Sequence, residues 1–290
     1  MAKTGTPFIS LLEPSKLEGY DRSKPHDQQK ASIPRAFMDA MEVREEVFVR
    51  EQGVPLEFEH DKDDAKSLHW VIYTSVNRII DHEIKDPKTG AVIQPKRSET
   101  RSVPIGTLRC VPFPHPPHPQ PGGRYVDNVL QNEEVNTLDA KQMARRTSSL
   151  PYGHDAPTSL HDGQEPYMKL GRLAVLKPYR KMNVGAQLWA AARQYLIEHP
   201  DYYNPSVTKL GLDALDAHGV NDIPRWKGLV CVHAQDGVKD VWARWGFQVD
   251  DLMGEWWEEG IRHVGMFQRL PLPPRQIQID ARGPPPLRLA

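Results

Sequence analysis

The sequence predicts an α/β fold in which helices flank a central mixed β-sheet interrupted by long insertions. Two stretches carry this expectation. Residues 167–198 run from an apolar strand-like segment, YMKLGRLAVL, through a short basic turn into a helical pattern. Residues 229–270 then alternate strand, helix and strand, with LVCVHA and VGMFQRL as the apolar runs. Strand–helix–strand succession implies parallel pairing within the sheet.

Residues 1–31 are polar, carry no sustained period and read as a loosely attached arm. Ser32 and Pro34 form a helix start, and Phe37, Ala40, Met41, Val47 and Phe48 recur at helical spacing. A helix is therefore expected over 34–51, stopped by Gly53 and Pro55. HWVIYTSV (69–76) and IGTLRCV (105–111) read as two strands that pair across a polar connection containing an Asp-Pro-Lys-Thr-Gly turn. PFPHPPHPQPGG (112–123) can join neither ladder nor helix, because proline lacks the N–H and fixes φ. Residues 112–166 are thus expected to be an irregular insertion. A helix is expected from about 185 to 198, marked by Leu188, Ala191, Ala192, Tyr195 and Leu196, and TKLGLDA is a short candidate strand. DGVKDVWARWGF reads as a helix ending at Gly246. The tail, 271–290, holds six prolines and is expected to be extended or disordered. The domain reading is an arm (1–31), one domain (32–270) and a tail.

The chain has 290 residues, 39% hydrophobic and 26% charged, as in ordinary globular proteins. Its 27 prolines cluster in loops and tail. A net charge of −1 leaves no basic excess for nucleic acid, so no nucleic-acid partner is expected. No segment approaches the roughly 18 apolar residues of a membrane span, and the N-terminus lacks the apolar run of a signal peptide. Cys110 and Cys231 lie in short apolar runs and read as reduced core thiols. These features together predict a cytoplasmic protein without a membrane partner.

The most informative stretch is the turn Arg180-Lys181-Met182-Asn183-Val184-Gly185-Ala186. A helix N-terminus offers unpaired N–H groups and a partial positive charge, so it can hold a diphosphate with few cationic side chains. Gly185 lets backbone approach a ligand, Asn183 tolerates a positive φ, and Arg180 and Lys181 add charge.

The pattern L-G-R-L-A-V-x-x-x-Y-R-x-x-x-V-G-A-x-L resembles the acetyl-CoA motif of the GNAT N-acetyltransferase superfamily, Gln/Arg-x-x-Gly-x-Gly/Ala. Arg180 and Gly185 match its first and last positions, and Asn183 replaces its middle glycine. H-A-Q-D-G-V-K-D-V-W-A-R-W-G-F is similar to the family's second half, with Gln235 at its Asn position, Trp242 at its Tyr position and Gly246-Phe247 matching. V-F-V-R-E-Q-G-V-P (47–55) and E-E-G-I-R-H-V-G-M resemble segments of a fungal and bacterial small-amine subgroup. The resemblance covers about residues 36–76, 104–111 and 167–270. It implies the GNAT acyl-CoA N-acyltransferase fold and acetyl-CoA as co-substrate, with no metal. Leu173, Ala174 and Val175 would supply oxyanion donors and pair with the pantetheine arm.

Acyl transfer to an amine needs a neutral nucleophile and hence a proton acceptor. Glu258, Glu259 and His263 around the last hairpin are candidates, as are Glu57, Glu59 and Asp61. The acidic loop 57–64 also reads as a substrate mouth that attracts a cationic amine, or as a solvated turn. Trp256 and Trp257 could stack on a sugar ring or serve hairpin packing. Trp242 is donor-only, so the family's tyrosine acid is missing, and Tyr179 is a remaining hydroxyl. The histidines of PHPPHPQ lack companions for a metal at that spacing. The favoured acceptor is a small amine, an amino sugar such as glucosamine or a polyamine. A protein amine and a non-catalytic CoA sensor are the alternatives. A homodimer is the candidate assembly.

Overall fold

The computed structural model describes residues 7–131, 155–205 and 224–274. The candidate strand TKLGLDA, the middle of the insertion and the tail beyond residue 274 lie outside the described residues. Twelve strands occur within them, and ten form one mixed sheet.

The spine of that sheet is a pair of long antiparallel strands, β2 (Leu68–Asp81) and β5 (Arg97–Val111). Both extend past the apolar runs into polar sequence, so they leave the body of the protein together. Between them, β3 (Ile84–Lys85) and β4 (Val92–Gln94) close a small hairpin. The Asp86 carboxylate accepts from the Lys88 and Thr89 amides in its turn. β1 (Phe8–Leu12) pairs antiparallel with β2. Part of the segment expected as a loose arm is therefore an edge strand, and Leu17 and Ile33 bury beside Phe37 and Met41.

On the other side of β5 the order is β8 (Met168–Val175), β9 (Leu229–Gln235), β12 (Ile261–Arg269) and β11 (Glu255–Glu258). Two short strands of the insertion, β6 (Arg124–Val126) and β7 (Val129–Leu130), extend the sheet beyond β11. β10 (Gln248–Val249) pairs with β12. β8 with β9, and β11 with β6, are the parallel pairs. This is an α/β fold with a large mixed sheet flanked by helices, as the sequence predicts.

Period-2 alternation along β2 sorts the two faces. Leu68, Trp70 and Ile72 join the main core with Leu188, Trp189, Ala192 and Leu196 of α3 (Val184–Glu198). Val71 and Tyr73 face the other way, onto Ala40 of α1 (Arg35–Arg44). The helix expected over 34–51 is continuous but changes winding, because residues Glu45–Glu51 form a π-helix. Such segments re-aim side chains within an otherwise regular helix. A one-turn helix, α2 (Leu56–Glu59), follows. The last helix, α4 (Lys239–Arg244), ends before Gly246, whose φ of 97° only glycine adopts freely. Among the described residues, no helix is long and apolar enough to cross a membrane.

An ion network ties α1 and the loop after it to the sheet. Arg44, fully buried, donates from Nε to Glu59 (2.6 Å) and from Nη1 to Asp64 (2.8 Å). Arg109 of β5 donates from Nη1 to both Asp61 and Asp64 at 2.7 Å. Removing one partner of a buried pair strands the other charge, at a cost of about 3–5 kcal/mol. Arg44→Met is expected to lower unfolding free energy by about that amount in urea titration.

Candidate active site

β8 and β9 pair only between Met168–Leu170 and Val230–Val232. Beyond Leu170 they diverge. Arg172 has φ 50°, and the β5–β8 ladder slips register between Thr107 and Arg109 at that point. A bulge of this kind bends its strand and disrupts the ladder locally. The Arg172 guanidinium holds it in place, pairing with Glu59 (3.1 Å) and Asp61 (3.3 Å) and lying over the Phe48 ring (5.9 Å).

The divergence opens a cleft of about 920 Å³. Leu173, Ala174 and Val175 of β8 form one wall, and His233, Ala234 and Gln235 of β9 form the other. Among the described residues, neither of these stretches has a strand partner on its cleft side. Arg180, Lys181, Asn183, Val184, Gly185 and Ala186 line one end, where α3 starts. Asn183 caps that helix with φ 63°, and Lys181 has φ 65°. These left-handed residues turn the chain sharply into α3, whose first-turn amides have no intrahelical partners and belong to residues that line the cleft. Met182 is exposed and lies outside the lining. Gly185 has Trp245 against it: a Cβ there would come within 3.3 Å of the indole. Trp242 also lines the cleft, beneath the same helix end. Arg180 donates to Val175 O (2.9 Å) and to Glu51 (2.7 Å). Gln235 exchanges amide hydrogen bonds with Gln52 (3.0 and 3.3 Å), so the π-helix end reaches both walls.

The far end is built by cross-strand register. Gln235 lies opposite His263, and His263 opposite Trp256. Opposed residues share a face, as do residues two apart. Hence Gln235, His233, His263, Trp256 and Glu258 project to one side. Trp256 is fully buried in a small core cluster with Tyr167 and Phe267 and does not reach the cleft. Its indole N–H donates to Glu258 Oε1 at 2.7 Å. Glu258 lines the cleft, 32% exposed, with His233 Nδ1 at 3.4 Å. Burial alone would raise the Glu258 carboxyl, but the hydrogen bond from His233 and the nearby His263 outweigh it and hold it well below its usual range. Burial, with Lys169 alongside, pushes His233 down to about 3. His263 Nδ1 lies 2.8 Å from Ile261 O, which can only accept, so that nitrogen carries the proton.

The other expected residues are dispersed. Glu259 sits at the hairpin tip with φ 50° and accepts from the Asp127 amide (2.7 Å), outside the cleft lining. Trp257 carries the Arg124 guanidinium at 5.3 Å. Glu57 is exposed, and Glu59 is buried in the ion network. Asp61 lines the cleft but is engaged by Arg109 and Arg172. Burial would raise its carboxyl, and those two arginines hold it low instead. The acidic loop is therefore substantially neutralised by Arg44, Arg109 and Arg172.

Sequence reasoning missed Lys169, His233, His115 and Tyr125, all of which line the cleft. Alternation along LVCVHAQ could have found His233, which shares a face with Gln235. His115 and Tyr125 come from the insertion, and no local pattern ties them to this site.

No family model matches the sequence, and no curated protein matches it. Among solved structures, the chain is similar to an N-acetyltransferase of Lactobacillus plantarum described as putative (17% identity, TM-score 0.42, 92% of this chain and 99% of that one). It is similar to an acyl-CoA N-acyltransferase from Pseudomonas aeruginosa (15%, TM-score 0.39, 91% and 99%). Escherichia coli ElaA is a third (14%, TM-score 0.40, 91% and 100%).

Buried histidines give the stability a definite pH dependence, and burial lowers His69 to about 4 and His233 to about 3, against 6.5 for the free side chain. The unfolded chain therefore takes up these protons first. The contribution of these neutral histidines is fully present above pH 6.5 and is lost as pH falls from there towards 4. Thermal midpoints measured between pH 7 and 4 are expected to fall throughout that window. His69→Gln, which keeps a donor to Asp64 O, is expected to shallow the slope.

Proposed function

We propose that this chain is an acyl-CoA-dependent N-acyltransferase that transfers an acetyl group from acetyl-CoA to the primary amine of a small molecule. One observation carries the reading. The splayed edges of two adjacent parallel strands, unpaired among the described residues, meet a left-handed turn whose following helix start, Asn183–Ala186, lines the same cleft. The amides of 183–186, with Arg180 and Lys181, suit a pyrophosphate. The open edge at Leu173–Val175 suits a pantetheine arm, whose amides can pair with it as an added strand would. Backbone N–H groups on that edge suit the oxyanion.

In this reaction the amine nitrogen bonds to the thioester carbonyl carbon, the C–S bond breaks, and the nitrogen loses a proton. Glu258 is the cleft carboxylate that attracts the acceptor's ammonium. His263, through Nε2, accepts the proton directly or through water. Trp242 cannot protonate the departing sulfur, so CoA leaves as thiolate or takes its proton from Tyr179, Tyr125 or solvent. Trp256, Trp257, Glu57 and Glu59 do not face the cleft, so the aromatic and acidic lining that pointed to an amino sugar is not its lining. Glucosamine, spermidine and a lysine peptide are the acceptors to compare.

Acetyl-CoA with that panel is expected to release free thiol and yield an acetylated amine by mass spectrometry. Glu258→Gln is expected to lower kcat/KM by about 10²-fold or more while leaving acetyl-CoA affinity unchanged by calorimetry. Gly185→Val, which crowds Trp245 and the turn, is expected to weaken that affinity at least tenfold, about 1.4 kcal/mol. A wild-type protein that shows no coenzyme binding overturns the proposal. Tight binding without acetylated product overturns the catalytic part and leaves a sensor.

A further inference from the structure

A second polar cluster lies outside the cleft lining and takes no part in acyl transfer. We propose that His118, Asp155 and His161 form a zinc site that fastens the proline-rich insertion to the sheet. Each of the three offers a ligand atom, and these atoms all lie within 4.8 Å of one another. His118 Nε2 is 3.0 Å from His161 Nδ1 and 3.5 Å from Asp155 Oδ2. Two ligands about 2.0–2.1 Å from a tetrahedral zinc sit roughly 3.3 Å apart, between those two separations. The side chains are 5%, 2% and 13% exposed for His118, His161 and Asp155.

The tautomer of His161 suits a cation. His161 Nε2 is 2.8 Å from Glu165 O, which can only accept, so Nε2 carries the proton and Nδ1 presents a lone pair. A backbone carbonyl behind a histidine is the usual way a ligating ring is oriented. Asp155 Oδ2 also only accepts when ionised. Both acceptors lie within reach of His118 Nε2, and a divalent ion in place of the proton shared there would take all three atoms as ligands. Two imidazoles and a carboxylate suit zinc, with a water in the fourth position.

The site is also pre-assembled. The Asp155 carboxylate accepts from the His118 and Ala156 amides at 2.8 Å. His118 stacks on Tyr167 (5.4 Å) and His161 on Phe267 (5.8 Å), which fixes both rings against the sheet. The 155–163 loop closes on itself through the Asp155 amide to Gly163 O. Gly163 has φ 80°, and a Cβ there would lie 2.3 Å from Asp155 O, so the closure needs glycine. Asp250 accepts from Thr158, Ser159 and Leu160 and holds the same loop from below. The sequence hid the site because its members lie 37 and 43 residues from His118.

The test uses the full chain, stripped of metal with a chelator and then titrated with zinc by calorimetry and with cobalt by visible absorption. One equivalent of zinc is expected, along with the d–d bands of a four-coordinate cobalt site and a higher thermal midpoint for loaded than for stripped protein. His161→Ala and the conservative Asp155→Asn are expected to weaken zinc by more than the 10–100-fold that loss of an outer partner costs. His115→Gln, a neighbouring histidine bonded instead to Tyr167 O, is expected to keep the full equivalent. Stripped wild-type protein that takes up no zinc and gives no cobalt bands overturns the proposal and leaves a hydrogen-bonded cluster. Uptake that survives unchanged in His161→Ala or Asp155→Asn also overturns it. The wild-type spectrum decides the matter even if a variant fails to fold.

Discussion

The bulge at Arg172 is the constraint on which the cleft depends. Parallel strands normally stay paired along their length, and β8 and β9 begin that way over three residues each. At Arg172 the backbone enters a left-handed conformation that a non-glycine residue adopts only when its surroundings compel it. Glu59 and Asp61 supply that compulsion by gripping the guanidinium, and Phe48 supports it from the π-helix. Pairing fails beyond this point, and the failure creates the two open edges. The acidic loop after α2 therefore serves the site indirectly, by fixing the strand that lines it.

That arrangement explains why so many charges are buried. Arg44, Arg109 and Arg172 face Glu59, Asp61 and Asp64, three against three. Desolvating them is costly, and the pairs recover the loss only while all partners remain. Hydrophobic packing could secure α1 against β5 without such charges. It could not as readily hold an arginine backbone in a left-handed turn, because that takes directional bonds from fixed carboxylates. The network is better understood as a device for geometry than as a source of stability.

Much of the frame was legible in the sequence. Strands β8, β9 and β12 showed as short apolar runs, and the start of α3 showed because a basic, asparagine-containing turn precedes a 3.6-residue period. What escaped was whatever depends on distant partners. Phe8–Leu12 is five residues long and becomes a strand because β2 offers it an edge. The π-helix keeps the apolar residues of an ordinary helix, so periodicity could not distinguish it. The polar ends of β2 and β5 support each other by pairing rather than by burial. At the site, the turn and the Glu258–His263 hairpin were visible as local motifs. EWWE showed an aromatic pair but not which face would be inside, and Trp256 went to the core while Trp257 took the opposite face, under Arg124. Lys169 and Tyr125 join the site through sheet order alone.

The placement of charge then narrows the proton's route in the proposed reaction. A carboxylate held as low as Glu258 is a weak base, although the same stabilisation makes it a dependable anion for an ammonium group. His233 stays neutral because burial penalises its cation, and the same penalty makes it a poor proton acceptor. His263 differs in kind. Its Nδ1–H is committed to Ile261 O, which leaves Nε2 with the lone pair. A base must present a lone pair to the proton it takes, and the hydrogen bond at Nδ1 gives His263 that tautomer at Nε2.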